Sequence, residues 1–129
     1  MIDPAAIALE AEKEARALFA LGLYRGACSR AYYAMFNMAR ALLLLRGHEP
    51  EATKTHRAVI QMFSNEFVRN GPFDIKDGRE LQRAAEARHL ADYSGSISKE
   101  DAERVMAALD GFMTTAKAIL PSGRSGSTP

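Results

Sequence analysis

Residues 24–47, YRGACSRAYYAMFNMARALLLLRG, decide how the rest of the chain must fold. The stretch contains neither proline nor an acidic residue. At 100° per residue, Ala31, Tyr32, Ala34, Met35, Met38, Ala39, Ala41, Leu42 and Leu45 fall in one arc of about half the circumference. Arg25, Ser29, Arg30, Asn37 and Arg40 fall in the other half, yet Tyr33, Phe36, Leu43 and Leu44 interrupt it. A helix apolar on nearly every side is predicted to be buried against several neighbours. Arg30, Asn37 and Arg40 argue against a membrane span, which needs about 18 or more mostly apolar, uncharged residues. One helix of roughly 35 Å, at 1.5 Å per residue, can therefore carry the core while others pack around it.

Upstream, Asp3-Pro4 predicts a helix start, with the carboxylate as cap and proline in the first turn. Ile7, Ala11, Ala15 and Leu18 form its apolar stripe, and Gly22 is its expected stop. The short link to residue 24 predicts an antiparallel pair. Downstream, His48 to Lys54 reads as a loop around Pro50. Thr53 or Thr55 can cap a third helix to about Val68, striped by His56, Val59, Ile60, Phe63 and Phe67. Residues 69–78, RNGPFDIKDG, carry the chemistry of a loop. A fourth helix is expected from about Arg79 to Tyr93, with Leu81, Ala84 and Ala85 facing inward. Ser94-Gly95-Ser96 reads as a turn, and Ser98 caps a fifth helix with Asp101 three residues on. That helix is striped by Ala102, Val105, Leu109, Phe112, Ala116 and Ile119, and Pro121 stops it. The expected fold is all-α: an antiparallel four- to five-helix up-and-down bundle in one domain over 1–120, followed by a flexible tail over 121–129.

Of the 129 residues, 47% are hydrophobic and 26% charged, the balance of a globular chain and not of a disordered one. A formal charge of +1 gives no general attraction to nucleic acid or to anionic membrane, so any RNA contact needs a local basic patch. The single Cys28 excludes an intrachain disulfide and a multi-cysteine metal site, and is expected to be inert packing. His48, His56 and His89 are far apart and lack carboxylates at ligand spacing, so no metal is expected. No phosphate-binding glycine loop or nucleophile motif occurs, and no cofactor is expected. No targeting or lipidation signal is read at either end, which makes the cytoplasm the expected compartment.

One violation of the apolar pattern stands out. The inner face of the fourth helix, continued past Ala84 and Ala85, reaches Arg88, Ala91 and Asp92. Arg88 and Asp92 are four apart and can meet on one face. Charges there are costly unless paired, so the pair is either a structural pin or a functional site. His56 lies at the core edge of the third helix, where satisfaction by packing and capping is the ordinary outcome.

The order of these features resembles the HEPN superfamily of small helical bundles, in its UPF0332-like single-domain branch. The resemblance is carried by Ser29-Arg30-Ala31-Tyr32-Tyr33-Ala34-Met35-Phe36 with Ala39 and Ala41-Leu42, by Thr55-His56-Arg57 with Val59, Phe63 and Phe67, and by Arg88-His89-Leu90-Ala91-Asp92-Tyr93. It implies a homodimer. In catalytic members an arginine, the polar residue after it and a histidine a few residues later converge across the dimer cleft and cleave RNA without metal. Many such members are toxins paired with a small nucleotidyltransferase antitoxin.

Carried over, Arg88 takes the place of the arginine, His89 that of the polar residue, and Tyr93 stands where the histidine is expected. Tyrosine, with a reference pKa of about 10, is a poor base near neutrality. The expected function is therefore a dimeric module that binds RNA or a nucleotide, or a nucleotidyltransferase partner, in a toxin–antitoxin-type system. Arg88, His89 and Tyr93 form its centre, and Asp92, His56, Arg30 and Arg40 supply further contacts. The alternatives are an active metal-independent endoribonuclease toxin whose histidine is displaced to His89 or His56, and a structural helical adaptor. A homodimer is expected under all three, because Phe36, Leu43 and Leu44 exceed what one bundle face requires.

Overall fold

The computed structural model describes residues 3–49, 53, 55–69, 71–73 and 75–120. Among these there are five helices and no strand: α1 Pro4–Ala20, α2 Tyr24–Leu45, α3 His56–Phe63, α4 Ile75–Ser94 and α5 Lys99–Ile119. A π-helical stretch, Ser64–Arg69, continues α3. The expected tail over 121–129 lies outside the described residues.

The caps are where the residue chemistry puts them. Asp3 accepts a hydrogen bond from the Ala5 amide, Thr55 from Ala58, and Ser98 from Asp101. Gly22 sits at φ 77°, just past α1, in the left-handed region that glycine enters without strain.

The central helix is α2, which packs against each of the other four. Its buried residues include Ala27, Ala31, Tyr32, Met35, Met38, Ala39 and Leu42. Two assignments on its circumference need correction. Asn37, placed on the polar half, is buried and donates to the Tyr33 carbonyl at 2.9 Å, which satisfies the amide within the helix itself. Leu45, placed on the apolar arc, is 45% exposed, because it is the last helical residue. The case for an uncovered α2 also weakens. Phe36 and Leu43 are buried within the single chain, and Leu44 is half-buried.

Around α2, ion pairs fix the outer helices. Glu12 is buried and receives Arg16 at 2.5 Å and Lys117 at 2.9 Å, while Arg16 also reaches Asp110 at 2.6 Å. The cluster ties α1 to α5. Burial pushes the Glu12 carboxyl up, but hydrogen bonds and charge from Arg16 and Lys117 outweigh this and hold it below the usual value. His48 pairs with Glu66, and the Arg46 guanidinium lies 4.4 Å from the centre of the Phe67 ring. Both contacts hold the end of α2 to the π-helical stretch.

The region expected to be a loop over 69–78 is half helix. α4 starts at Ile75, so Asp77-Gly78, read as a turn, lies in its first turn. A Cβ at Gly78 would come within 2.9 Å of Val68 Cγ2. Glycine is thus used there for the close approach of α4 to the π-helical stretch, not for a reversal. Phe73, in the remaining connection, is buried against Phe63 at 4.8 Å and Phe112 at 5.0 Å between ring centres. The loop reading missed this core residue.

Candidate functional site

Three helices converge beside Arg88. From α2 come Tyr32 and Phe36, one turn apart, with rings 6.0 Å from centre to centre. From α3 comes His56, its first residue. From α4 comes Arg88. Tyr32 is buried, so its hydroxyl needs a partner. That partner is His56 Nδ1, at 2.6 Å. The imidazole also stacks on Phe36, with centres 4.2 Å apart and planes 25° apart. The Arg88 guanidinium lies 5.8 Å from the centre of the Tyr32 ring, within cation–π range.

These neighbours set the protonation states. Burial pushes the Tyr32 phenol up to about 12, against the opposing pull of Arg88. Tyr32 therefore keeps its proton at neutral pH. Burial lowers the His56 pKa, and the positive charge of Arg88 lowers it further. Both effects favour the neutral imidazole. Among the described residues, Nδ1 of His56 is the only hydrogen-bond partner of the Tyr32 hydroxyl. A protonated phenol with that one acceptor donates to Nδ1, which leaves the imidazole proton on Nε2.

The expected buried pair is looser than the pattern suggested. Arg88 Nε and Asp92 Oδ2 are 3.6 Å apart, with side chains 42% and 44% exposed. The inner face of α4 ends at Ala91, and the two charges flank that face at the rim. At that distance the contact is an ion pair without a good hydrogen bond. Among the described residues the Arg88 guanidinium makes no hydrogen bond.

The other site candidates divide. His89 and Tyr93 form an exposed ring pair, centres 4.5 Å apart, and Tyr93 is 80% exposed. His89 lines a groove of about 930 Å³ between α3 and α4, beside the Arg88 cluster and not within it. Arg30 is committed elsewhere, bonded to Glu14 at 3.3 Å and lying 4.6 Å from the centre of the Tyr33 ring. Arg40 donates to Thr53 Oγ1 at 3.2 Å, two turns along α2 from Tyr32, or roughly 12 Å by helical rise. Neither arginine joins Arg88. Sequence reasoning missed Tyr32 and Phe36 as site residues because it placed Tyr32 in the apolar arc and left Phe36 as an interruption. The available signal was a buried tyrosine hydroxyl that had to find a polar partner.

Cys28 is buried, and burial pushes its thiol up to about 11, which fits inert packing. Among the described residues no three His, Cys, Asp or Glu side chains are grouped so as to hold a metal ion, and no helix is long and apolar enough to cross a membrane.

The five helices form one all-α bundle around α2, with Arg88, His56 and Tyr32 brought together where α2, α3 and α4 meet. The chain belongs to the HEPN family: the HEPN domain matches it over residues 5–119. It is 37% identical over 115 residues to the protein named "Putative toxin MJ0605" from Methanocaldococcus jannaschii, covering 88% of this chain and 84% of that one. A second protein of that organism, "Putative toxin MJ0142", is 33% identical over 124 residues, covering 95% and 80%. A UPF0332 protein of Archaeoglobus fulgidus is 35% identical over 114 residues, covering 87% and 88%.

Proposed function

We propose that this chain is an RNA-binding HEPN module of a toxin–antitoxin-type pair, which holds the RNA backbone between Arg88 and His56 without cleaving it. The observation that carries this reading is the 2.6 Å bond between the Tyr32 hydroxyl and His56 Nδ1, beside the rim guanidinium of Arg88. The bond uses the basic nitrogen of the imidazole. What His56 can then offer a ligand is an Nε2–H donor, not a base. Arg88 and His56 are two donors suited to a phosphate, with charge supplied by the arginine. General-base catalysis at a ribose hydroxyl needs an acceptor nitrogen, and Tyr93 does not replace one.

Dimerisation belongs to the same reading. Leu90 is 53% exposed and Tyr93 80%, one turn apart on α4 next to Arg88. Two copies pairing along that ridge would bring their Arg88 clusters to a common cleft. A partner protein, a nucleotidyltransferase-type antitoxin, completes the same reading.

The experiment is a titration of fluorescent single-stranded RNA in excess chelator. Arg88→Ala is expected to weaken binding by roughly tenfold or more, the worth of one charge-assisted contact. It should also reduce the slope of log affinity against log salt by about 0.7. Unchanged affinity in Arg88→Ala would refute the assignment.

The toxin names favour one further reading, a metal-independent ribonuclease in which a displaced histidine acts. With His56 as that histidine, it requires the opposite tautomer when RNA is bound, with Nε2 as base; His89 is the other histidine it allows. Metal-independent cleavage lost in both His56→Ala and Arg88→Ala would establish it.

A further inference from the structure

The groove between α3 and α4 is not explained by phosphate binding alone. It is a shallow, open groove of about 930 Å³, and its two walls differ in chemistry along their length. α3 and α4 run antiparallel here, because His56 at the start of α3 lies near Arg88 towards the end of α4. Arg57 and His89 therefore line the end next to the phosphate-binding cluster. Gln61 and Glu86 follow, over a floor that includes Ile60 and Ala85. Asn65 and Gln82 line the far end. From His89 to Gln82 is roughly 10 Å along α4.

Two glutamine carboxamides, Gln61 and Gln82, line this groove from facing helices. Gln61 and Gln82 make no side-chain hydrogen bond, and Arg57 makes no ion pair, among the described residues. A carboxamide presents a donor and an acceptor side by side, the pattern that pairs with adenine N6 and N7. The Glu86 carboxylate adds an acceptor for an exocyclic amino group. A flat, half-buried apolar floor suits a planar base.

Resting on the reading of Arg88 and His56 as a phosphate site, we infer that this groove takes the base of the bound nucleotide and selects adenine. Gln61 and Gln82 read the edge of the base, Glu86 accepts from its amino group, and Arg57 stands at the sugar–phosphate end. Uracil offers carbonyl oxygens where Glu86 places a negative charge, so it is disfavoured.

The test is an anisotropy titration of the whole chain with oligoadenylate and oligouridylate of equal length, comparing wild type with the double variant Gln61→Ala, Gln82→Ala. Both glutamines are exposed, so the fold should survive, and Glu86→Gln serves as a second variant. Wild type is expected to bind oligoadenylate about tenfold more tightly. The double variant should bind both oligomers as wild type binds oligouridylate, and Glu86→Gln should narrow the preference. Equal affinities in wild type, a preference for oligouridylate, or a preference that survives in both variants overturns the base assignment and leaves the phosphate site standing. No binding of either oligomer overturns the phosphate site and this inference together. AMP added as competitor separates the sources: displacement at the concentration of oligoadenylate points to a free nucleotide, weaker displacement to RNA, and either supports adenine.

Discussion

Tyr32 carries its hydroxyl into a buried position and gives it one partner, His56 Nδ1. Removing it in Tyr32→Phe should cost about 1 kcal/mol of stability, the usual net value of one hydrogen bond. The same change withdraws a bond that favours the neutral imidazole, so the His56 pKa should rise. Arg88→Ala should raise it too, by removing a nearby positive charge. An NMR titration of the His56 ring protons checks both; a value unmoved by either substitution contradicts the geometry. The sign for stability follows from the lowered pKa. The unfolded chain takes up the His56 proton first, so this contribution is complete above the unfolded value of about 6.5 and is lost as pH falls through the folded one. His56 was legible in the sequence as an edge residue at the start of α3. Its bond to Tyr32 was not, because periodicity places a residue on a face without saying which helix that face will meet.

At the scale of the helices, local chemistry was a good guide wherever one residue does one job. Asp3, Thr55 and Ser98 cap as their types require. The guide failed at Asp77-Gly78, which lies inside α4 instead of a turn, its glycine giving clearance against Val68. Gly78→Ala should therefore destabilise by about 1 kcal/mol despite the better helix propensity of alanine. In a Val68→Ala background the same substitution should cost nothing or stabilise, and a thermal double-mutant cycle reads the difference. Glu12 makes the second case. Its partners Arg16 and Lys117 are half exposed, so Glu12→Ala should cost about 2 kcal/mol, less than the 3–5 kcal/mol of a fully buried pair. Because the Glu12 pKa is held low, its stabilisation is present at neutral pH. It fades as pH falls below the ordinary carboxylate value and through the folded one. A melting series from neutral to acid, wild type against Glu12→Ala, should show the two curves converge at low pH.

For the molecule as a whole, the all-helical architecture could be read from α2, since a helix apolar on nearly every side demands neighbours on nearly every side. The homodimer expected from the same helix loses that ground, because Phe36 and Leu43 are already covered within the chain. The proposed dimer rests instead on the exposed ridge of Leu90 and Tyr93 on α4: it predicts a dimer mass by light scattering that Leu90→Glu shifts to monomer while leaving the helical signal intact, and a monomeric wild type would contradict it. The site itself was half legible: Arg88 broke the pattern visibly, but its partners lie on two other helices distant in sequence. The central claim, that Arg88 and His56 hold an RNA backbone without cutting it, is tested most directly by one anisotropy record. End-labelled single-stranded RNA is mixed with the protein in excess chelator and followed over time, wild type beside Arg88→Ala. A rise that stays constant in wild type and is lost in the variant is the expected result. Failure to rise in wild type, or a rise that decays as the RNA is cut, would contradict it.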